Sequence, residues 1–126
     1  MKNIKIDKTT HAVADYNHSR SQSLKSQIVI SFSQRLNDYH IVRLKHKEFG
    51  LTKKWNTFTI GRDGSIYQHF DSKYYSNFIG NKDADKQSIS IVIENMGYLI
   101  QSPNGEYVNW LNEICDSYCV EEKKLF

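Results

Sequence analysis

Apolar residues along the chain fall into short clusters, and each cluster carries its own period. Gln27 to Ser33 (Q-I-V-I-S-F-S) is a compact, β-branched run, which predicts a buried central strand. From Asp38, a residue suited to capping, the spacing turns helical up to about Glu48, and Gly50 stops it. Ile41, Leu44 and Lys45 share one side of that helix, and Val42, His46 and Phe49 share another. Thr57 to Ile60 alternates, with Phe58 and Ile60 on one face. Gly61-Arg62-Asp63-Gly64 then turns the chain, and Ser65 to Phe70 returns as the second arm of a hairpin. Ser88 to Ile93 (S-I-S-I-V-I) predicts another central strand, with Ile89, Ile91 and Ile93 on one face. Pro103-Asn104-Gly105 is a turn, and Glu106 to about Cys119 reads as a helix with Tyr107, Leu111, Ile114 and Tyr118 as its apolar stripe. Ile4 and Ile6 fit a short edge strand, while the rest of 1–25 reads as a polar arm. Strand, helix, hairpin, loop, strand, helix predicts the α+β class, with a mixed central β-sheet flanked by helices.

Composition adds limits to this picture. A chain of 126 residues with 39% hydrophobic content suits a single domain spanning 1–126, and no repeat or linker divides it. The formal charge of +3 permits an anionic ligand without demanding one. Arg43, Lys45, Lys47, Lys53 and Lys54 are the densest basic group, and they read as a solvated helix face and loop, so no nucleic-acid polymer is expected as a partner. Residues 1–20 carry no apolar signal core, and no apolar run reaches the roughly 18 residues of a membrane span. Cytoplasmic localisation and no membrane partner are therefore expected. Cys115 and Cys119 lie four apart in the expected helix, a poor geometry for a disulfide, and read as reduced thiols.

Three blocks then stand in a recognisable order: N-T-F-T-I-G-R-D-G-S-I-Y-Q-H-F from Asn56, K-Y-Y-S-N-F-I-G from Lys73, and Q-S-I-S-I-V-I-E-N-M-G from Gln87. Together with I-V-I-S-F-S they make the chain, over about 27–120, similar to the type-2 N-acetylmuramoyl-L-alanine amidases, a family that includes phage lysins and the peptidoglycan-recognition proteins. The resemblance implies an amidase-like mixed sheet. It also implies a zinc ion held by three side chains, polarising the amide carbonyl and activating water. At the position of the first ligand, a histidine in the family, this chain has Ser31. The other two ligands normally follow the last matched helix. Asn56 stands where a tyrosine often assists catalysis, and Asn77 where the family frequently has a histidine. The histidines present, His11, His18, His40, His46 and His69, do not restore a ligand set by spacing and read as surface or internally bonded residues. No metal or other cofactor and no catalytic residue are expected.

The family's groove is lined by the end of the first strand, the loop around 73–80 and the end of the 88–93 strand. The corresponding residues here are Ser31, Ser33, Arg35, Asn56, Lys73, Tyr74, Tyr75, Asn77, Glu94 and Asn95. They are hydrogen-bonding and aromatic groups suited to a small polar ligand with a flat or sugar-like part. Tyr74 or Tyr75 serves equally well as packing, and Glu94 as a surface charge. The reading is a catalytically inactive amidase-like binding protein, phage-borne, that sequesters a muropeptide or nucleotide-like signal. An active amidase, or a fragment of one, and a module that binds a host protein are the alternatives. The family's final layer, absent here, would leave apolar surface uncovered, which predicts a homodimer or higher homo-oligomer with Val108 and Trp110 as contact candidates.

Overall fold

The computed structural model describes residues 3–34 and 54–115. The helix expected from Asp38 to Glu48 lies outside them, as do Arg35, His40, His46, Tyr118 and Cys119.

Five of the described strands form one mixed sheet. They are β1 (Ile6–Asp7), β2 (Gln27–Phe32), β3 (Phe58–Ile60), β4 (Ile66–Gln68) and β5 (Ser88–Ile93), in the order β1-β4-β3-β5-β2. The expected hairpin forms β3 and β4, antiparallel, with Ile60 opposite Ile66. Its turn closes through the Gly61 N–H donating to the Ser65 carbonyl at 2.8 Å, and Gly64 supplies the positive φ of 87°. β5 runs parallel to β3 on one side and to β2 on the other. The expected edge strand at Ile6 is present as β1, parallel to β4.

Two expectations need correction. Among the described elements β2 is an edge strand, not a buried central one, because β5 alone pairs with it. Its apolar residues Ile28, Ile30 and Phe32 remain 64%, 57% and 52% exposed. The expected helix from Glu106 is replaced, as far as Cys115, by extended chain. β6 (Ile100–Gln101) and β7 (Tyr107–Val108) pair antiparallel around the Pro103–Gly105 turn. Asn109 then bends the chain back, its Oδ1 accepting the N–H groups of Leu111 and Glu113 at 3.0 Å each. Val108 bridges Ile114. An asparagine offering its side chain to nearby backbone competes with helix hydrogen bonds, and this outweighs the helical stripe. A short helix read as loop, α1 (Lys82–Gln87), precedes β5; the Asn81 side chain caps it by accepting the Ala84 N–H at 3.1 Å.

Register divides the sheet into two unlike faces. One carries Ile66, Ile60, Ile93 and Phe32 in a lateral row, with Phe58, Ile91 and Ile30 in the next. The other carries Tyr67, Thr59, Val92 and Ser31 in lateral register, and its small polar members Thr59, Ser88 and Ser90 are buried. Trp55 and Phe70 form a buried apolar cluster with Val13 and Tyr74 against it. His18 is stacked at 5.0 Å on both Phe70 and Tyr74.

Candidate functional site

β2, β3 and β5 are mutually parallel, so their carboxyl ends share one edge of the sheet, and ligands of open α/β sheets gather at such edges. Four of the expected residues meet there. Ser31 is half-buried on β2, level with Val92 of β5. Ser33 and Asn95 lock the two strand ends together: the Ser33 hydroxyl donates to the Asn95 carbonyl at 3.2 Å and accepts the Asn95 N–H at the same distance. Glu94 is buried beside them, and its N–H donates to the Ile60 carbonyl at 2.9 Å. The Asn95 side chain accepts the Gly97 N–H at 2.9 Å.

Gln34 and Asn109, for which the sequence suggests no role, complete this edge together with Trp110, which it suggests only as a subunit contact. Gln34 adopts a positive φ of 56°, which turns its carbonyl toward the 109–113 bend. That carbonyl accepts Asn109 Nδ2 at 3.1 Å and the Trp110 indole N–H at 2.8 Å. Asn109 is fully buried and uses its amide in both directions, with a further bond to Glu113 at 2.8 Å. Trp110 is thus oriented by its indole nitrogen while remaining 62% exposed. The signal in the sequence is Asn109-Trp110-Leu111-Asn112, in which two asparagines favour a turn over a helix.

The remaining expected residues lie at the opposite end. The Thr57 N–H donates to the Ser90 carbonyl, placing Asn56 beside the amino-terminal half of β5. The 73–75 segment is tied to the chain just ahead of β2: the Ser23 N–H donates to the Lys73 carbonyl, and Lys25 Nζ donates to the Tyr74 carbonyl at 2.8 Å. A six-residue strand such as β5 is about 20 Å long. Tyr74 packs on the Trp55 cluster, and Lys73 pairs with Asp71 at 3.7 Å while its Nζ lies over the Tyr74 ring. Tyr75 is half-buried under the Lys25 ammonium, Asn77 is exposed, and the neighbouring Ser76 donates to the Trp55 carbonyl. Burial lowers the pKa of Lys25, whose Nζ also reaches Ser23 Oγ and the Lys86 carbonyl. The expected groove residues therefore form two groups at opposite ends of the sheet, and Arg35 lies outside the described residues.

Asn56 belongs to an interior network. Its Nδ2 donates to Thr59 Oγ1 at 2.8 Å, and Thr59 Oγ1 is 2.7 Å from His69 Nε2. His69 Nδ1 is 2.9 Å from the His11 carbonyl, an acceptor only, so Nδ1 carries a proton; in the neutral ring the Thr59 hydroxyl then donates to Nε2. Asn56, Thr59 and His69 are each at most 1% exposed, so this hydroxyl–imidazole pair meets no substrate in the folded protein. It is an internal joint between the N-terminal arm and the hairpin.

Among the described residues, no group of three or more His, Cys, Asp and Glu side chains is placed to hold a metal ion. No described helix is long and apolar enough to cross a membrane. No protein-family model matches the chain, and no curated protein or solved structure matches it either.

Proposed function

We propose that this chain is an amidase-like binding protein without hydrolytic chemistry, which holds a small polar ligand at the carboxyl ends of β2 and β5. The observation that carries the reading is the convergence of Ser33, Gln34, Asn95, Asn109 and Trp110 on one braced edge. An oriented, exposed indole beside backbone and side-chain amides suits a ligand with one flat or sugar-like face and several hydroxyl or amide groups. A fragment of a muropeptide and a nucleotide both meet that description. Ser31 supports the non-catalytic part. A neutral serine hydroxyl is a weak zinc ligand beside imidazole or thiolate, and it stands where the resembled family has its first histidine.

Calorimetry against muropeptides and mono-, di- and cyclic nucleotides tests the binding. One ligand in these panels is expected to bind at micromolar dissociation constant, about −8 kcal/mol. Trp110→Ala is expected to weaken it by about 1–3 kcal/mol, the loss of one stacked aromatic. Tyr75→Ala, at the other end of the sheet, should leave it unchanged. Failure of both panels to bind below about a millimolar dissociation constant (roughly −4 kcal/mol) overturns the ligand site. Elemental analysis tests the chemistry separately: about one zinc per chain, with release of stem peptides from purified cell walls, establishes a working amidase instead.

A further inference from the structure

The turn that joins β6 to β7 is Ser102-Pro103-Asn104-Gly105. Proline suits its first central position, asparagine its second, and glycine the left-handed position that follows. Two backbone bonds close it. The Gly105 N–H donates to the Ser102 carbonyl at 2.9 Å, and the Ser102 N–H donates to the Glu106 carbonyl at 2.7 Å. Gly105 has a φ of +88°; chain neighbours aside, the nearest atom to a Cβ placed there is Gln101 Nε2 at 4.0 Å. Pro103, Asn104 and Gly105 are all exposed. Of the ten asparagines in the chain, no other precedes a glycine. We propose that Asn104 is a site of spontaneous deamidation, through attack by the backbone nitrogen of Gly105, and that the turn is the brake on this reaction.

Asparagine is thermolabile because its side-chain carbonyl lies within reach of the next backbone nitrogen. The Gly105 nitrogen loses its proton and attacks Asn104 Cγ. The new N–Cγ bond closes a succinimide, the Cγ–Nδ2 bond breaks, and ammonia leaves with that proton. Water then opens the ring. Cleavage of the N–Cγ bond gives aspartate at 104, and cleavage of the original peptide bond gives isoaspartate. Glycine is the successor that opposes this least, having no Cβ to crowd the attack and the widest choice of backbone angles. The native turn opposes the first step twice. The proton that must leave is the one bonded to the Ser102 carbonyl, and the carbonyl under attack is pinned, Asn104 Oδ1 accepting the Ser102 hydroxyl and lying 3.5 Å from the Glu106 nitrogen. Ser102 takes part in both restraints, so opening the turn there frees nucleophile and electrophile together. The ribbon does little to keep it shut: β6 and β7 pair through Ile100 with Val108 and Gln101 with Tyr107 alone, and a two-stranded ribbon is marginally stable. Either product places a new negative charge beside Glu106, and isoaspartate also lengthens the backbone within the turn. The chemistry uses neither Trp110 nor the carboxyl ends of β2 and β5, so it stands independently of the ligand site.

Ageing the purified protein at mildly alkaline pH and physiological temperature, with peptide mass spectrometry over time, tests both parts. Asn104 is expected to convert to a mixture of aspartate and isoaspartate while Asn81 and Asn95 stay intact. The same chain held unfolded in urea should convert faster. Pro103→Gly is expected to convert about two- to five-fold faster than wild type, the effect of freeing the backbone that proline restrains. Asn104→Gln should abolish the acidic forms that wild type accumulates on ion exchange. Far-UV circular dichroism matching wild type shows that the variants fold, and the comparison with urea requires no variant. Native protein whose Asn104 stays intact while the unfolded chain converts overturns the site, as does conversion that falls equally on Asn81 and Asn95. Equal rates for native and unfolded chain, or a folded Pro103→Gly no faster than wild type, overturn the brake.

Discussion

Buried polar residues in this protein brace segments that are far apart in sequence. His69 donates its Nδ1–H to the His11 carbonyl, and its Nε2 meets the Thr59 hydroxyl, whose oxygen also accepts from the Asn56 amide. Removing the shared hydroxyl takes one hydrogen bond from the His69 ring and one from the Asn56 amide, both buried. Thr59→Val is therefore expected to cost about 1–3 kcal/mol, read as a lower urea midpoint with an unchanged slope. Asp7 works at the surface. It accepts the Thr9 and Thr10 N–H groups and the Thr10 hydroxyl, and the Thr10 hydroxyl heads the bonds that hold its carboxyl well below the usual range. The Ser65 N–H lowers that of Asp63 in the hairpin turn. Both carboxylates are depressed in the folded state, so their stabilisation is complete above the unfolded pKa of about 4 and is lost as pH falls through the folded values. Denaturation midpoints are expected to drop on acidification below about pH 4, and to drop less in Asp7→Asn.

At the scale of elements, the hairpin and β5 were legible because both signals are local. A glycine-rich turn lies between two alternating runs, and six residues keep strict period two. The edge position of β2 was not legible. A run such as I-V-I-S-F reads alike in a centre or at an edge, and only the strand order decides. As far as Cys115 the helix expected beyond Glu106 does not form, because Asn109 and Asn112, the latter at a positive φ of 60°, outweigh the 3.6-residue periodicity. α1 went unseen because six residues are too few to show a stripe, although Asn81 announced its cap. Half of the candidate groove shared the fate of β2. Residue types identified Tyr74, Tyr75 and Asn77 as contact-forming, but they do not say from which end of a sheet a loop departs. Gly97 gives this scale its own test. Its φ is +73°, and a Cβ there would lie 2.9 Å from Gln34 Cγ. Gly97→Ala is expected to cost on the order of 1–2 kcal/mol, mostly backbone strain, and to displace the flexible Gln34 side chain. Chemical denaturation measures the loss, and Trp110 fluorescence reports the displacement.

For the whole molecule, the order of strands in space departs from their order along the chain. Gln27 pairs with Ser88, so the partner of β2 is the last strand of the main sheet to be made. During synthesis the hairpin of β3 and β4 can close on its own, but β2 has no described neighbour until about the residue-93 point of the chain has cleared the ribosome. For that interval an uncharged strand carrying Ile28, Ile30 and Phe32 has neither edge covered by a described strand, and two nascent copies on neighbouring ribosomes offer each other the same sequence. β5 therefore acts as a timer as well as a scaffold. Its arrival closes one edge of β2 and leaves only the other, so the point in translation at which β5 emerges separates orderly folding from association of unfinished chains.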